Sequence, residues 1–423
     1  MTLSVIGYAG MTHLGLNSAV AAAEKGFQVI CFDSDKQRVA AFTRNELSIV
    51  EPDLNELLSK NAHRISFTAK SQDLVLCDVI YIAPDVPTND FGQSDLGPIN
   101  TLIAEVETVL RPDTVMVILS QVPPGFTRAR MCAGRMLYYQ VETLIFGRAI
   151  ERALHPERFI IGCAEPKQPL VALFAHFLES FSCPILPMRY ESAELAKISI
   201  NMCLVASVSV ANTLAELCEN IGADWSEIVP ALKLDKRIGQ YSYLAPGLGI
   251  AGGNLERDLA TVCNFADLYG TDAGVVRAYT VNSHHRRDWV LRTLYREILS
   301  RKDDPVIAVL GLAYKQDTHS TKNSPSISLL EHLKLFRVRV FDPVVSPSVV
   351  PNLRCHCAKS ELDACEGADV LVVMTPWQQF ASLDLIDIAQ RLHGKAVLDP
   401  YAVLNGAACR AAGLRYLTLG VQP

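Results

Sequence analysis

Blocks of one charge are missing from this chain of 423 residues. Lys and Arg number 39 against 45 Asp and Glu, interspersed along the sequence, and the formal net charge is -6. With no basic stretch to meet a phosphate backbone or an anionic lipid, nucleic-acid and membrane-surface binding are set aside. No apolar run of about 18 residues goes uninterrupted by polar groups, so no membrane partner is expected. Met1-Thr2-Leu3-Ser4-Val5-Ile6 reads as a strand, without the charged n-region and cleavage site of a leader, and the expected location is cytoplasmic. Metal-ligand spacing is absent as well. Among 12 cysteines the only close pair is Cys355 and Cys357, while Cys77, Cys203 and Cys218 fall in apolar periodic segments where a buried thiol acts as a small hydrophobe. No metal is expected. Short-period repeats and low-complexity segments are lacking too.

What is present is a chain too long for one ordinary domain, with apolar content enough for several cores. Up to about Pro187, short apolar strands alternate with amphipathic stretches, the pattern of a parallel sheet wrapped by helices. Strands are legible at Leu3–Ile6, Gln28–Phe32, Val79–Ile82, Val115–Leu119 and Arg158–Ile161. A helical region follows from Glu191 to about Ser300, and its first part, through Glu219, has no Pro or Gly and reads as one long spine helix. After Arg301-Lys302-Asp303-Asp304-Pro305 the alternation resumes with Val306–Leu310, Val338–Phe341, Val370–Met374 and Ala396–Leu398. The expected fold class is α/β, with two Rossmann-like doubly wound domains joined by a helical connector. The expected boundaries are 1–188, 189–300 and 301–423.

The first strand leads to Gly10-Met11-Thr12-His13-Leu14-Gly15, then to a helix rich in alanine, then to a strand ending in Asp33. A tight turn, a helix N-terminus with free N–H groups and an acid about 20 residues on form a dinucleotide site. Gly10, Thr12, Gly15 and Asp33 are therefore candidate cofactor residues. Thr12 stands where the middle glycine of the pattern belongs. An acid rather than a base at the strand end favours NAD over NADP. His13 and the pair His284-His285 find no partner in sequence and are expected at the surface or in caps.

Further along, Gly247-Leu248-Gly249-Ile250-Ala251-Gly252-Gly253-Asn254-Leu255-Glu256-Arg257-Asp258 runs from a glycine-rich loop into a helix. Other ordered motifs are Glu51-Pro52-Asp53-Leu54, Val86-Pro87-Thr88, Ser120-Gln121-Val122-Pro123-Pro124-Gly125 and Ser192-Ala193-Glu194-Leu195-Ala196-Lys197 with Asn201. Later come Asp235-Lys236-Arg237-Ile238-Gly239, Gly311-Leu312-Ala313-Tyr314-Lys315, Asn323-Ser324-Pro325 and Phe341-Asp342-Pro343. Taken in this order, the set resembles the UDP-glucose/GDP-mannose dehydrogenase family over essentially the whole chain.

The resemblance implies NAD as cofactor, a nucleotide-diphosphate sugar as substrate and a homodimer. The family oxidises a sugar hydroxymethyl twice, trapping the intermediate aldehyde on a cysteine of the glycine-rich loop and hydrolysing the thioester. Lys197 and Asn201 match residues that hydrogen-bond the developing alkoxide, and Asp258 matches the residue that takes the alcohol proton. Thr88, Gln121 and Lys322 are implied beside the cofactor, and Arg237, Gly249 and Lys315 beside the substrate, with Arg237 reaching across from a partner subunit. The match departs from the family at the thioester steps. Asn254 occupies the cysteine position and cannot form a thioester. Glu142 keeps the first of two paired glutamates, Phe146 replaces the second, and Gln121 replaces a threonine that places the hydrolytic water. Cys263 stands nine residues on, roughly 13 Å along a helix, too far to substitute.

The leading expectation is thus one reversible hydride transfer, as in a redox-neutral nucleotide-sugar epimerase of polysaccharide biosynthesis. Two alternatives stand beside it: a nucleotide-sugar dehydrogenase that releases NADH, and a catalytically dead sugar-nucleotide-binding subunit.

Overall fold

The computed structural model describes residues 4–47, 49, 51–89, 93–132, 134–350 and 354–422. The start of the first expected strand, Leu3, lies outside them. Two compact units are present, Met1–Ile200 and Asn201–Pro423.

In the first unit the strands are β1 (Val5–Ala9), β2 (Gln28–Phe32), β3 (Ile65–Thr68), β4 (Val79–Ile82), β5 (Val115–Ile118), β6 (Met136–Gln140), β7 (Phe159–Cys163) and β8 (Ile185–Arg189). They form one sheet in the order β3-β2-β1-β4-β5-β6-β7-β8. Neighbours run parallel except β6 and β7, which are antiparallel. Helices α1 (His13–Glu24), α2 (Lys36–Thr43), α3 (Leu54–Lys60), α4 (Gly97–Glu107), α5 (Ala149–Leu154) and α6 (Ala172–Glu179) connect them. The central strands β4 and β5, Val-Ile-Tyr-Ile and Val-Met-Val-Ile, are buried at every position because helices cover both faces. In α1 the run Ala19 to Ala23 is buried, and such small side chains let the helix lie close to the sheet. The strand order reverses between β1 and β4, which opens a crevice at their carboxyl ends, the usual ligand site of such sheets.

Helix α7 (Tyr190–Ile221) begins in the first unit and ends in the second. It outruns the expected Glu191–Glu219 by a residue or two at each end. By length and composition it could cross a membrane, with mean hydropathy 1.6 over a window that is 39% buried. Asn201 and Asn212 interrupt its apolar run without bringing the average below that of a membrane span. Both are buried polar residues.

The second unit continues with α8 (Trp225–Leu234), α9 (Asn254–Tyr269), α10 (Gly274–Arg287) and α11 (Trp289–Leu294). Its sheet is built from β9 (Val306–Leu310), β10 (Arg337–Phe341), β11 (Cys355–Cys357), β12 (Val370–Val373), β13 (Ala396–Leu398) and β14 (Arg415–Leu417), with α12 (Pro325–His332) between the first two. The order is β11-β10-β9-β12-β13-β14, all parallel. Both sheets are therefore doubly wound about a central switch point, as the alternating pattern implied.

Candidate active site

The turn after β1 is fixed by two glycines. Gly10 has φ +94, its N–H donates to Phe32 O at 2.9 Å, and a Cβ on it would stand 2.7 Å from Pro84 N. A Cβ on Gly15 would stand 2.0 Å from Gly10 O, so the first turn of α1 packs directly on the preceding loop. This brings the N-terminus of α1 to the crevice. Thr12 is the N-cap but makes no side-chain cap bond; its Oγ1 instead donates to Ala83 O (3.3 Å) and accepts from Asp85 N–H (3.0 Å). The residue that replaces the middle glycine thus ties α1 to the loop after β4. Asp33 is 5% exposed at the end of β2. Its Oδ2 accepts from Met11 N–H and from Arg38 Nη1, both at 2.8 Å, and its Oδ1 accepts from Asp35 N–H at 2.9 Å. A turn that only glycine can make, an uncapped helix start and a buried acid fit a dinucleotide.

Thr88 lies in the same loop, bridged to Ser94, and Gln121 follows Ser120, whose Oγ donates to Pro84 O at 2.5 Å. Glu194, a fully buried residue of α7, accepts from Gly125 N–H (2.6 Å) and Thr127 N–H (2.8 Å) and anchors the loop that carries Gln121. Burial pushes the Glu194 carboxyl above its ordinary range. About one turn further along α7, Lys197 Nζ meets Glu142 Oε2 at 3.1 Å, with side chains 14% and 18% exposed. Leu144 N–H donates to the other Glu142 oxygen at 2.5 Å.

His13 departs from its expected surface or capping place. Its Nε2 lies 2.7 Å from Glu51 Oε1, with only 13% of its side chain exposed, and its ring packs 4.1 Å from that of Phe146. Glu51 also accepts from Gly147 and Ala149 N–H, at 2.9 and 3.1 Å, and so fixes the start of α5. Glu51 was visible as a motif, but no spacing rule links it to a residue 38 positions away. By contrast His284 and His285 are exposed, the latter 2.8 Å from Glu216. Cys203, expected in an apolar interior, is exposed on α7.

The second unit holds the glycine-rich loop. Gly249 has φ +75, and a Cβ there would meet Ser283 O at 2.4 Å, so the loop lies flat on α10. Ile250 N–H donates to Ser283 Oγ (2.7 Å), Gly247 N–H to Asn212 Oδ1 (2.8 Å) and Gly252 N–H to Lys322 O (3.2 Å). The loop ends at Gly253, the N-cap of α9, with the Lys322 stem beside it. Asn254 is the first residue of α9 and is exposed. One helical turn on, Asp258 is 1% exposed; its Oδ2 accepts from Asn201 Nδ2 at 2.5 Å, and Arg257 Nε lies 3.4 Å from Oδ1. Glu256 on the same helix accepts from the side chain of Asn323. The unbroken helix Asn254–Tyr269 keeps Cys263 at the distance its spacing gave.

The structure therefore brings Asn201 to Asp258, Glu142 to Lys197, and Lys322 to the glycine-rich loop. Lys315 stands in the loop after β9, its Nζ 5.9 Å from the Tyr314 ring. The Arg237 side chain is 89% exposed and pairs with Asp235 at 2.6 Å.

Comparisons with known proteins cover the whole of this arrangement. Three models of the UDP-glucose/GDP-mannose dehydrogenase family match: its NAD binding domain over residues 1–178, its central domain over 191–284 and its UDP binding domain over 308–406. A UDP-glucose 6-dehydrogenase from Pseudomonas aeruginosa is 31% identical, the match covering 99% of this chain and 97% of that protein. One from Bacillus subtilis is 27% identical over 97% of this chain and 92% of that one. Among solved structures, a UDP-glucose dehydrogenase from Pyrobaculum islandicum superposes with TM-score 0.86 at 24% identity, covering 100% of this chain and 98% of that one. A UDP-D-ManNAc dehydrogenase from Pyrococcus horikoshii gives 0.85 at 23%, covering 98% and 99%. These relatives are named as dehydrogenases, so the epimerase expectation finds no support and the alternative, a dehydrogenase that releases NADH, fits better. An epimerase would in addition have to return the hydride to the opposite face of its substrate.

Proposed function

Because the chain belongs to the UDP-glucose/GDP-mannose dehydrogenase family, with NAD as cofactor and a nucleotide sugar as substrate, we propose that it is a dehydrogenase that stops after one hydride. The observation that carries this reading is the surface of α9. Asp258 is buried against Asn201, and one turn before it, at the first helical position, stands the amide Asn254. A cysteine there would have its thiolate favoured by the helix N-terminus. An amide gains nothing comparable and cannot form a thioester.

In this reading Asp258 accepts the hydroxyl proton of the sugar, directly or through a water, as the carbinol carbon loses its hydride. Lys197, steadied by Glu142, and Asn201 donate hydrogen bonds to the oxygen as it becomes an alkoxide and then a carbonyl. NAD, when bound, accepts that hydride. Gly10, Thr12, Gly15, Asp33, Thr88, Gln121 and Lys322 are assigned to the cofactor, and Arg237, Gly249 and Lys315 to the nucleotide sugar. Phe146, packed on His13 where the family pattern has a second glutamate, leaves hydrolysis without an acid to place the water. The division of labour follows the expected domains 1–188, 189–300 and 301–423, in a cytoplasmic protein without a membrane partner.

The test is product identity. With UDP-glucose and NAD, one NADH and one carbonyl-bearing nucleotide sugar are expected per turnover, identified by NMR. Two NADH with a carboxylate would defeat the account of Asn254, and an epimer without NADH would reinstate the other reading.

A homodimer completes the proposal. Val210, Leu214, Leu217 and Ile221 succeed one another at intervals of four, three and four on α7 and are 52%, 40%, 51% and 64% exposed. An apolar stripe of that kind on a long helix is what a second copy would cover. Sedimentation is expected to give a dimer, and Leu217→Glu a monomer; a native monomer with full activity would exclude it.

A further inference from the structure

An aldehyde can go on to a carboxylate without any thiol. Water adds across its carbonyl to give a geminal diol, which keeps the C–H bond of the aldehyde. That carbon can pass a hydride to a second NAD while the diol loses two protons, and the carboxylate is formed with no thioester on the way. A site that stops after one hydride therefore has to keep water from the carbonyl carbon as well as lack the nucleophile.

Phe146 is the side chain built for this. It follows closely on Glu142, the partner of Lys197, in the segment between β6 and α5. It stands second in a turn closed by Arg148 N–H, which donates to Ile145 O at 2.9 Å. Gly147, third in the turn, has φ +84, where glycine carries no steric cost. Gly147 N–H and Ala149 N–H are both held by Glu51, whose side chain is 1% exposed, so the chain beyond Phe146 is pinned to a buried carboxylate. The ring rests on that of His13, the first residue of α1, with 4.1 Å between centroids and 34° between planes. Yet Phe146 stays 41% exposed and Ile145 beside it 37%. Two large apolar side chains on a pinned turn, next to the helix start assigned to NAD, offer a water molecule no hydrogen bond where the family pattern has a glutamate.

We propose that Phe146 is the specificity-determining residue that ends the reaction after one hydride, by denying water a place at the carbonyl carbon. Glu51 and His13 are its positioning residues: the first pins the turn and the second backs the ring. The inference rests on the one-hydride reading above, with the sugar hydroxymethyl as the reacting group.

The test compares the full chain with Phe146→Ser, Phe146→Ala and Phe146→Leu on UDP-glucose and NAD in heavy-oxygen water. Semicarbazide is present to capture aldehyde that leaves the site, so labelled carboxylate reports diol formed in place. The unmodified protein and Phe146→Leu, which keeps an apolar bulk, are expected to give captured aldehyde and one NADH. Phe146→Ser and Phe146→Ala are each expected to raise the share of labelled carboxylate about tenfold, with a second NADH for every carboxylate. A rise in Tm on adding NAD shows that each variant folds and holds its cofactor. No more carboxylate from the Ser and Ala variants than from the unmodified protein overturns the proposal, as does an equal rise in Phe146→Leu. Carboxylate as the main product of the unmodified protein would instead fail the one-hydride reading, and this inference with it.

Discussion

Asp258→Asn is expected to lower kcat by about a hundredfold to ten-thousandfold, the span over which a positioned general base contributes, with KM for the nucleotide sugar nearly unchanged. The substitution keeps the shape of the side chain and removes its ability to accept a proton. Its cost to the fold is small if the new amide turns its oxygen toward Asn201, whose Nδ2 now donates to Asp258 Oδ2. The neighbouring Arg257, 6% exposed, then faces a neutral group, and the loss of that charge partner is the main structural penalty. Thermal unfolding separates the two effects. A fall in turnover with Tm within a few degrees assigns the loss to proton transfer, whereas turnover within about tenfold of the unmodified protein would remove Asp258 from the chemistry.

Lys197→Ala is expected to cost about a hundredfold to a thousandfold in kcat, the range found when one donor to a developing oxyanion is removed. The fold should tolerate it better than burial of the pair would suggest. The Glu142 carboxylate that loses Lys197 keeps a backbone donor, Leu144 N–H, and is 18% exposed, so water can reach it. Lys197→Arg is the informative companion. It keeps the charge and changes the reach and geometry, so little recovery of kcat would point to a requirement for a compact ammonium at one place. A loss confined to KM would mean that Lys197 binds substrate equally in ground and transition states, and it would then leave the catalytic set.

The central strands of both sheets were legible in sequence, several to the residue: Gln28–Phe32, Val79–Ile82, Val306–Leu310 and Ala396–Leu398. They are buried on both faces, and a fully buried strand writes itself as a continuous apolar run. The strands not anticipated were β3, β6, β8, β11 and β14, and all but β6 are sheet edges. An edge is short and half wet, so its residues read as loop: β8 is Ile-Leu-Pro-Met-Arg with three of five exposed, and β11 is Cys-His-Cys.

The candidate site was legible where chemistry depends on residue type at fixed spacing, as in Asn254 and Asp258 one turn apart. It was illegible where function depends on a contact across the fold. Glu51 to His13, Glu194 to Gly125 and Asp85 to Thr12 join residues that no periodicity relates. The preference for epimerisation failed for a different reason. Departures from a family pattern bear on the steps of the known reaction and carry no information about a new one.

The two sheets close their first turns in the same way. Gly10 and Gly311 both have positive φ and donate to the last residue of the second strand, Phe32 at 2.9 Å and Phe341 at 2.8 Å. Asp33 accepts from Met11 N–H as Asp342 does from Leu312 N–H. Beyond these turns the two units diverge: α1 starts at His13, whereas α12 starts only at Pro325, after a loop that carries Lys315 and Lys322. The first unit thus presents main-chain donors, which every amino acid except proline supplies. The loop of the second unit carries the Lys315 ammonium group, which a single codon change can delete or reverse. Ligand choice in this architecture is therefore unevenly open to evolution. On the proposed assignments the cofactor side would resist drift wherever its recognition is written in backbone, and the sugar-nucleotide side, with Lys315, is where new specificity would be reached in small steps.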